Sequence, residues 1–200
     1  PESVTSDQIK RLASAGVVVS LGHSDCGFDT ARAAFAAGAQ CVTHLFNAMR
    51  QLGSRDPGLV GAALTTPGVR AGLIADGIHV HPAAMQTALT ANPDIFLVTD
   101  AMATLGSDIT QFTLNGRRIS RSDGRLTLDD RTLAGADLDL PGALRVLVDD
   151  VGLARIRALR MVTTLPASCI RSPGPFGSLQ PGKTANVIHL GADFEYLDGL

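Results

Sequence analysis

Tryptophan is absent from the 200-residue chain and tyrosine occurs once. With so few aromatic rings and no basic run, the chain lacks the pairing of stacking platforms and cations that grips single-stranded nucleic acid. Its 17 lysines and arginines are offset by 19 aspartates and glutamates, a formal charge of −2, so no electrostatic footprint for a polyanion exists. Cysteine is scarce. Cys26, Cys41 and Cys169 are odd in number, irregularly spaced and without a C-x-x-C, which argues against a disulfide framework and a thiolate zinc site. The cytoplasm is the expected compartment. No apolar run approaches the ~20 residues of a membrane span, and the opening residues show no basic segment leading into an apolar core.

What is present is apolar and small. Hydrophobic residues make up 45% of the chain and glycine occurs 21 times, a composition that fits an α/β protein of tight turns. Four runs, GVVVSLG (16–22), QCVTHLF (40–46), VRAGLIAD (69–76) and DIFLVTD (94–100), are continuous rather than alternating, as parallel strands buried on both faces should be. Helical stretches over 29–39 and 81–92 follow the first and third runs, and a less clearly helical one over 57–68 follows the second. Strand and helix in alternation predict a parallel sheet. From 110 to 128 the pattern shortens around Asn115-Gly116 and Asp123-Gly124, which predicts a small antiparallel excursion. Helices over 140–152 and 154–170 and a final strand complete the expectation.

Each of the four runs presents a titratable group at or near its carboxyl end: His23, His44, Asp76 with His79, and Asp100. In parallel α/β architectures the loops at the carboxyl ends of the strands converge on one face. A lone histidine there is more often a hydrogen-bonded structural residue than a ligand. Four such positions in register point further. Neutral imidazoles on adjacent strands can share one divalent ion, and a nearby carboxylate can take a proton from water whose pKa that ion lowers toward ~7. His23 and His44 are therefore candidate ligands of one metal. Other readings stay open: His44 could cap strand hydrogen bonding, Asp100 could cap the following turn, and Arg55 with Asp56 could be an exposed ion pair contributing ~0–1 kcal/mol. Cys26 reads as small buried packing, His81 as a cap or first-turn residue before Pro82, and His189 as part of the terminal strand.

The segments GHS (22–24), THLFNAM (43–49), RDPGLVGA (55–62), ADGIHVHP (75–82), LVTDAM (97–102), TLAG (132–135) and GSLQPGKTANVI (177–188) occur in this order. On them the chain resembles the N-acetylglucosamine-6-phosphate deacetylases of the amidohydrolase superfamily, over nearly its whole length. The resemblance implies a TIM-like (β/α)8 barrel with a small β-sandwich, a divalent metal (zinc, with iron or another ion as alternatives) and hydrolysis of the acetamide of an amino-sugar phosphate by a homodimer. It implies His23 and His44 as metal ligands, Asp100 as general base and then acid, and His79 as a substrate hydrogen-bonding residue that helps polarise the amide carbonyl. Asn47, Ala48, Leu133, Ala134 and Gly135 are implied to line the substrate site. Arg55 is implied to bind the phosphate, a role its planar fork suits, across a dimer interface.

By the family's order, the runs correspond to strands five to eight, the C-terminal half of the barrel. Residues 1–175 would form this part, and 176–200 would contribute to the sandwich. A third ligand, a glutamate from an early strand, would lie upstream. Ala136 stands where the family has serine after TLAG, and Asn186 where it has aspartate. Two rivals to this reading are another amidohydrolase with a different acyl substrate and a catalytically incomplete piece serving as a binding or assembly module. Against the second, a non-enzyme has no physical need to aim four titratable groups at one place.

Overall fold

The computed structural model describes residues 1–170, 174 and 176–197. It opens with α1 (Ser6–Ser14), which the apolar pattern does not announce but a capping box does: Gln8 N–H donates to Thr5 Oγ1 and Thr5 N–H to Gln8 Oε1. Then β1 (Ser20–Leu21), α2 (Phe28–Ala36), β2 (Cys41–Val42), α3 (Gly58–Thr65), β3 (Arg70–Leu73), α4 (Pro82–Ala91) and β4 (Ile95–Leu97) alternate. The four strands form one parallel sheet in the order β1-β2-β3-β4, with Ser20 opposite Cys41, Cys41 opposite Arg70 and Ala71 opposite Ile95. Each helix is the crossover that a parallel pair requires. The expected parallel α/β arrangement is therefore present.

The paired strands are much shorter than the apolar runs that announce them. In the first run only Ser20 and Leu21 join the ladder, while Val17 is exposed. The second crossover is fully helical, contrary to its weak signal: every residue from Gly58 to Leu64 is buried, so α3 has no polar face and shows no helical periodicity. Val42, Leu59, Leu73, Met85 and Ile95 are fully enclosed between this sheet and the helices. Burying a side chain of this size contributes about 1.5–3 kcal/mol. The helix α4 starts as its sequence dictates, with Pro82 in the first turn and His81 as cap, its Nδ1 accepting from Ala83 N–H.

The antiparallel excursion is a meander of β5 (Gln111–Leu114), β6 (Arg117–Ser122), β7 (Arg125–Leu128) and β8 (Leu133–Ala136). Both connecting pairs, Asn115-Gly116 and Asp123-Gly124, have positive φ at both residues, the backbone that two-residue hairpins need. The strand β8 extends the excursion beyond residue 128. It ties this sheet to the first one, because Ala136 N–H donates to Asp100 O (2.8 Å) and Ala136 bridges Ala101 in parallel.

Helix α5 (Leu140–Arg145) runs into a π-helical turn, Val146–Asp150, in place of a continuous helix to 152. The expected helix over 154–170 is two, α6 (Arg155–Val162) and α7 (Thr164–Cys169), broken at Thr163. Pro166 accounts for the break: it has no N–H to give the Val162 carbonyl, and its ring would crowd that oxygen. The expected terminal strand is not formed among the described residues, where an isolated bridge joins Leu190 to Tyr196 and residues 182–189 are exposed. A strand needs a neighbouring ladder, and none is offered there. The boundary proposed at 175 and the last three residues of the proposed sandwich segment lie outside the described residues. No helix among those described is long and apolar enough to cross a membrane.

Candidate metal and active site

The ends of β1 and β2 come unusually close. Gly22 permits it: a Cβ there would lie 2.8 Å from Thr43 Cβ, so only glycine lets the second strand pass at this point. Thr43 N–H donates to Leu21 O (2.8 Å), and Ser20 Oγ pairs with Thr43 Oγ1. Immediately beyond, both backbones turn. His23 has φ 46° and His44 φ 31°, and Asp100 at the end of β4 has φ 50°. These are left-handed conformations that a side chain adopts at a cost of about 1–3 kcal/mol each, and they concentrate at functional sites. Glycine would relieve the strain, and titratable side chains stand there instead.

The turn aims the two imidazoles at each other. His23 Nε2 and His44 Nε2 are 3.0 Å apart, with ring centroids at 4.8 Å and planes at 72°. His44 is buried and His23 exposed, so the pair faces outward from the sheet end. His44 Nδ1 is buried without a hydrogen-bond partner, the cost of directing Nε2 to its neighbour. Two nitrogens about 2.0–2.1 Å from one zinc ion would stand at about this separation, so the pair fits a shared ion. Among the described residues, no group of three or more His, Cys, Asp or Glu side chains is arranged to hold an ion.

The loop after His44 returns to the loop after His23. Asn47 N–H donates to His44 O (2.9 Å), its side-chain amide donates to Leu45 O, and Ala48 O accepts from Ser24 N–H (3.1 Å). Asn47 and Ala48 are thus adjacent to the histidine pair, with Ala48 itself at φ 48°. The sequence left Arg55 and Asp56 open as an ion pair, and the structure separates them. Asp56 Oδ2 binds Arg50 Nε (2.8 Å), and Asp56 Oδ1 accepts from Gly58 N–H (3.0 Å) and Phe28 N–H (3.3 Å). These amides, ahead of the arginine, hold the Asp56 carboxyl below its ordinary range. Arg55 is exposed, and among the described residues its guanidinium has neither an ion pair nor a hydrogen bond.

His79 is held by Asp76, with Nδ1 2.6 Å from Asp76 Oδ2 and both side chains more than nine-tenths enclosed. The spacing D-x-x-H was the signal for this pair, although the sequence reading assigned Asp76 no role. Asp100 is exposed at the end of β4, where Ala136 N–H fixes its carbonyl. Leu133, Ala134 and Gly135 lie half-buried in β8 beside it. A Cβ on Gly135, at φ +68°, would meet Met102 Cγ at 2.6 Å and Asp100 O at 3.0 Å, so glycine is what lets β8 reach Asp100. The structure therefore joins His23 with His44, Asn47 and Ala48 with that pair, and Gly135 with Asp100. No hydrogen bond joins His79 or Asp100 to the histidine pair. The side chain of Ala136 is buried, Cys26 is buried packing, and His81 is a helix cap.

This architecture has known counterparts. The family model described as "Amidohydrolase family" matches residues 2–199. The chain is 41% identical over 195 residues to a Shewanella sp. (strain ANA-3) protein named N-acetylgalactosamine-6-phosphate deacetylase, covering 96% of this chain and 49% of that protein. It is 36% identical to the N-acetylglucosamine-6-phosphate deacetylase of Vibrio furnissii, covering 94% and 47%. The crystal structure of N-acetylglucosamine-6-phosphate deacetylase from Pasteurella multocida superposes with a TM-score of 0.94 at 34% identity, over 98% of this chain and 52% of that one. The chain spans about half the length of the curated relatives it matches. With parallel strands delivering histidines and an aspartate to one edge, and a family model matched almost from end to end, the chain belongs to the amidohydrolase family, whose members are generally metal-dependent.

Proposed function

We propose that the chain carries part of the active site of a deacetylase that hydrolyses N-acetylglucosamine 6-phosphate to glucosamine 6-phosphate and acetate. The observation that carries this reading is the convergence of His23 and His44 Nε2 at 3.0 Å, on two left-handed residues at the ends of adjacent parallel strands. In this reading both histidines hold a divalent ion, zinc by preference, through Nε2. Such an ion, when bound, acts as a Lewis acid toward a carbonyl and makes water a nucleophile at neutral pH.

The remaining chemistry falls to this chain's own side chains. Asp100 takes a proton from the attacking water as its oxygen adds to the acetamide carbonyl carbon. It then returns that proton to the nitrogen as the carbon–nitrogen bond breaks, so acetate and a free amine leave. Its exposure and its anchored carbonyl support that role. His79 hydrogen-bonds the substrate. Asn47 and Ala48, beside the histidines, and Leu133, Ala134 and Gly135, beside Asp100, line the sugar. Arg55, exposed and unpaired among the described residues, receives the phosphate as a two-pronged donor.

The resemblance further supports a barrel of which these strands are the fifth to eighth and a homodimer, while the scarce, irregularly spaced cysteines support a cytoplasmic location. A second reading concerns the sugar, because the Shewanella relative carries the name of the galactosamine epimer. Acetate release from N-acetylglucosamine 6-phosphate, N-acetylgalactosamine 6-phosphate and unphosphorylated N-acetylglucosamine, with and without added zinc, tests the proposal. Zinc-dependent release from a phosphorylated sugar is expected, and the faster epimer names the substrate. No release from any of them with the ion supplied would contradict it.

A further inference from the structure

We propose that Asp76 is a positioning residue for His79: its carboxylate fixes the imidazole with a proton on Nδ1 and makes Nε2 the atom presented to substrate. This rests on the reading of His79 as a substrate-contacting residue.

The geometry is specific. The loop 76–79 folds around one carboxylate: Oδ1 accepts from Ile78 N–H (2.9 Å) and His79 N–H (2.8 Å), which leaves Oδ2 for His79 Nδ1 at 2.6 Å. The Asp76 and His79 side chains are 7% and 8% exposed, so water does not compete for either. Burial pushes the Asp76 carboxyl up, yet the hydrogen bonds from the His79 ring and from the His79 and Ile78 amides together outweigh it and hold the group below its ordinary range. An ionised carboxylate has no proton to give. The proton of the short bond therefore sits on Nδ1, in the neutral ring and in the imidazolium alike.

This narrows what His79 does. In the neutral ring Nε2 is bare and accepts, which suits a sugar hydroxyl. Polarising a carbonyl needs a donor at Nε2, and with Nδ1 already protonated only the imidazolium has one.

The test uses the intact protein, with Asp76→Asn as the variant because asparagine keeps the Oδ1 acceptor for both amides. Long-range proton–nitrogen correlation spectra of 15N-histidine-labelled protein, at a pH where the ring is neutral, should show His79 protonated at Nδ1 in the wild type. In D76N that preference should be lost. The specificity constant for deacetylation should fall on the order of 10²-fold in D76N, as when a group that orients a catalytic imidazole is changed. In a His79→Gln background the same change should lower it by no more than about twofold, because a residue that acts through His79 has nothing left to act on. A wild-type ring protonated at Nε2, or a full D76N penalty without His79, would overturn the proposal. If the wild type releases no acetate at all, the functional reading fails, and the spectra alone still decide the role of Asp76.

Discussion

Replacing Gly135 by alanine separates a lining role from a structural one. The residue sits at φ +68°, which costs an alanine roughly 1–2 kcal/mol. Its new Cβ would stand 2.6 Å from Met102 Cγ, 2.7 Å from Met102 Sδ and 3.0 Å from Asp100 O. The methionine can swing aside. The carbonyl cannot, because it accepts from Ala136 N–H and the next residue, Ala101, bridges Ala136, so a further cost of about 1–3 kcal/mol is expected. Gly116→Ala is the control: its φ is +76° with nothing within 4 Å of the added Cβ, so it carries the left-handed cost alone. Urea unfolding followed by circular dichroism should place G135A about 1–3 kcal/mol below G116A at similar m-values. Acetate release should fall in G135A only, since β8 then bears on Asp100. Equal stability of the two variants would show that β8 does not press on the end of β4.

Arg55→Ala should raise KM for a phosphorylated sugar at least about tenfold, leave an unphosphorylated one unchanged, and alter stability by less than about 0.5 kcal/mol. Asn92→Ala should cost about 2–3 kcal/mol in urea unfolding with little change in KM. The Asn92 side-chain amide donates to Ala63 O (3.0 Å) and Val69 O (2.9 Å), two acceptors no water would replace. Because the Asp76 carboxyl is held below its ordinary range, it contributes stability above the unfolded aspartate pKa of ~3.9 that is lost as pH falls through the lower folded value. Unfolding curves of wild type and D76N should therefore converge on acidification below pH ~4, and a gap independent of pH would refute that sign.

The parallel sheet was legible because strands buried on both faces leave continuous apolar runs, and the hairpins because Asn-Gly and Asp-Gly turns leave a local mark. Strand lengths were not. Apolar character persists through Val17–Val19 although pairing begins at Ser20. Complete burial hid α3, since a helix enclosed on all sides has no polar stripe, and β8 was hidden by Leu-Ala-Gly-Ala, whose place depends on the distant Asp100. The terminal run NVIHL reads as a strand, yet strand propensity without a neighbouring ladder does not make one. Among the candidate site residues, residue types and order singled out His23, His44, His79 and Asp100. The left-handed turns that aim three of them, and the Asp76 hydrogen bonds that orient the fourth, depend on contacts across strands and loops that no spacing encodes.

The most direct measurement is anomalous diffraction from crystals of the protein loaded with zinc, recorded on both sides of the zinc absorption edge. The expected result is a peak within bonding distance, about 2.0–2.1 Å, of both His23 Nε2 and His44 Nε2, absent in His44→Ala together with acetate release. A peak bound to other side chains with that pair empty, or full activity in H44A, would contradict the assignment of these histidines as the metal site.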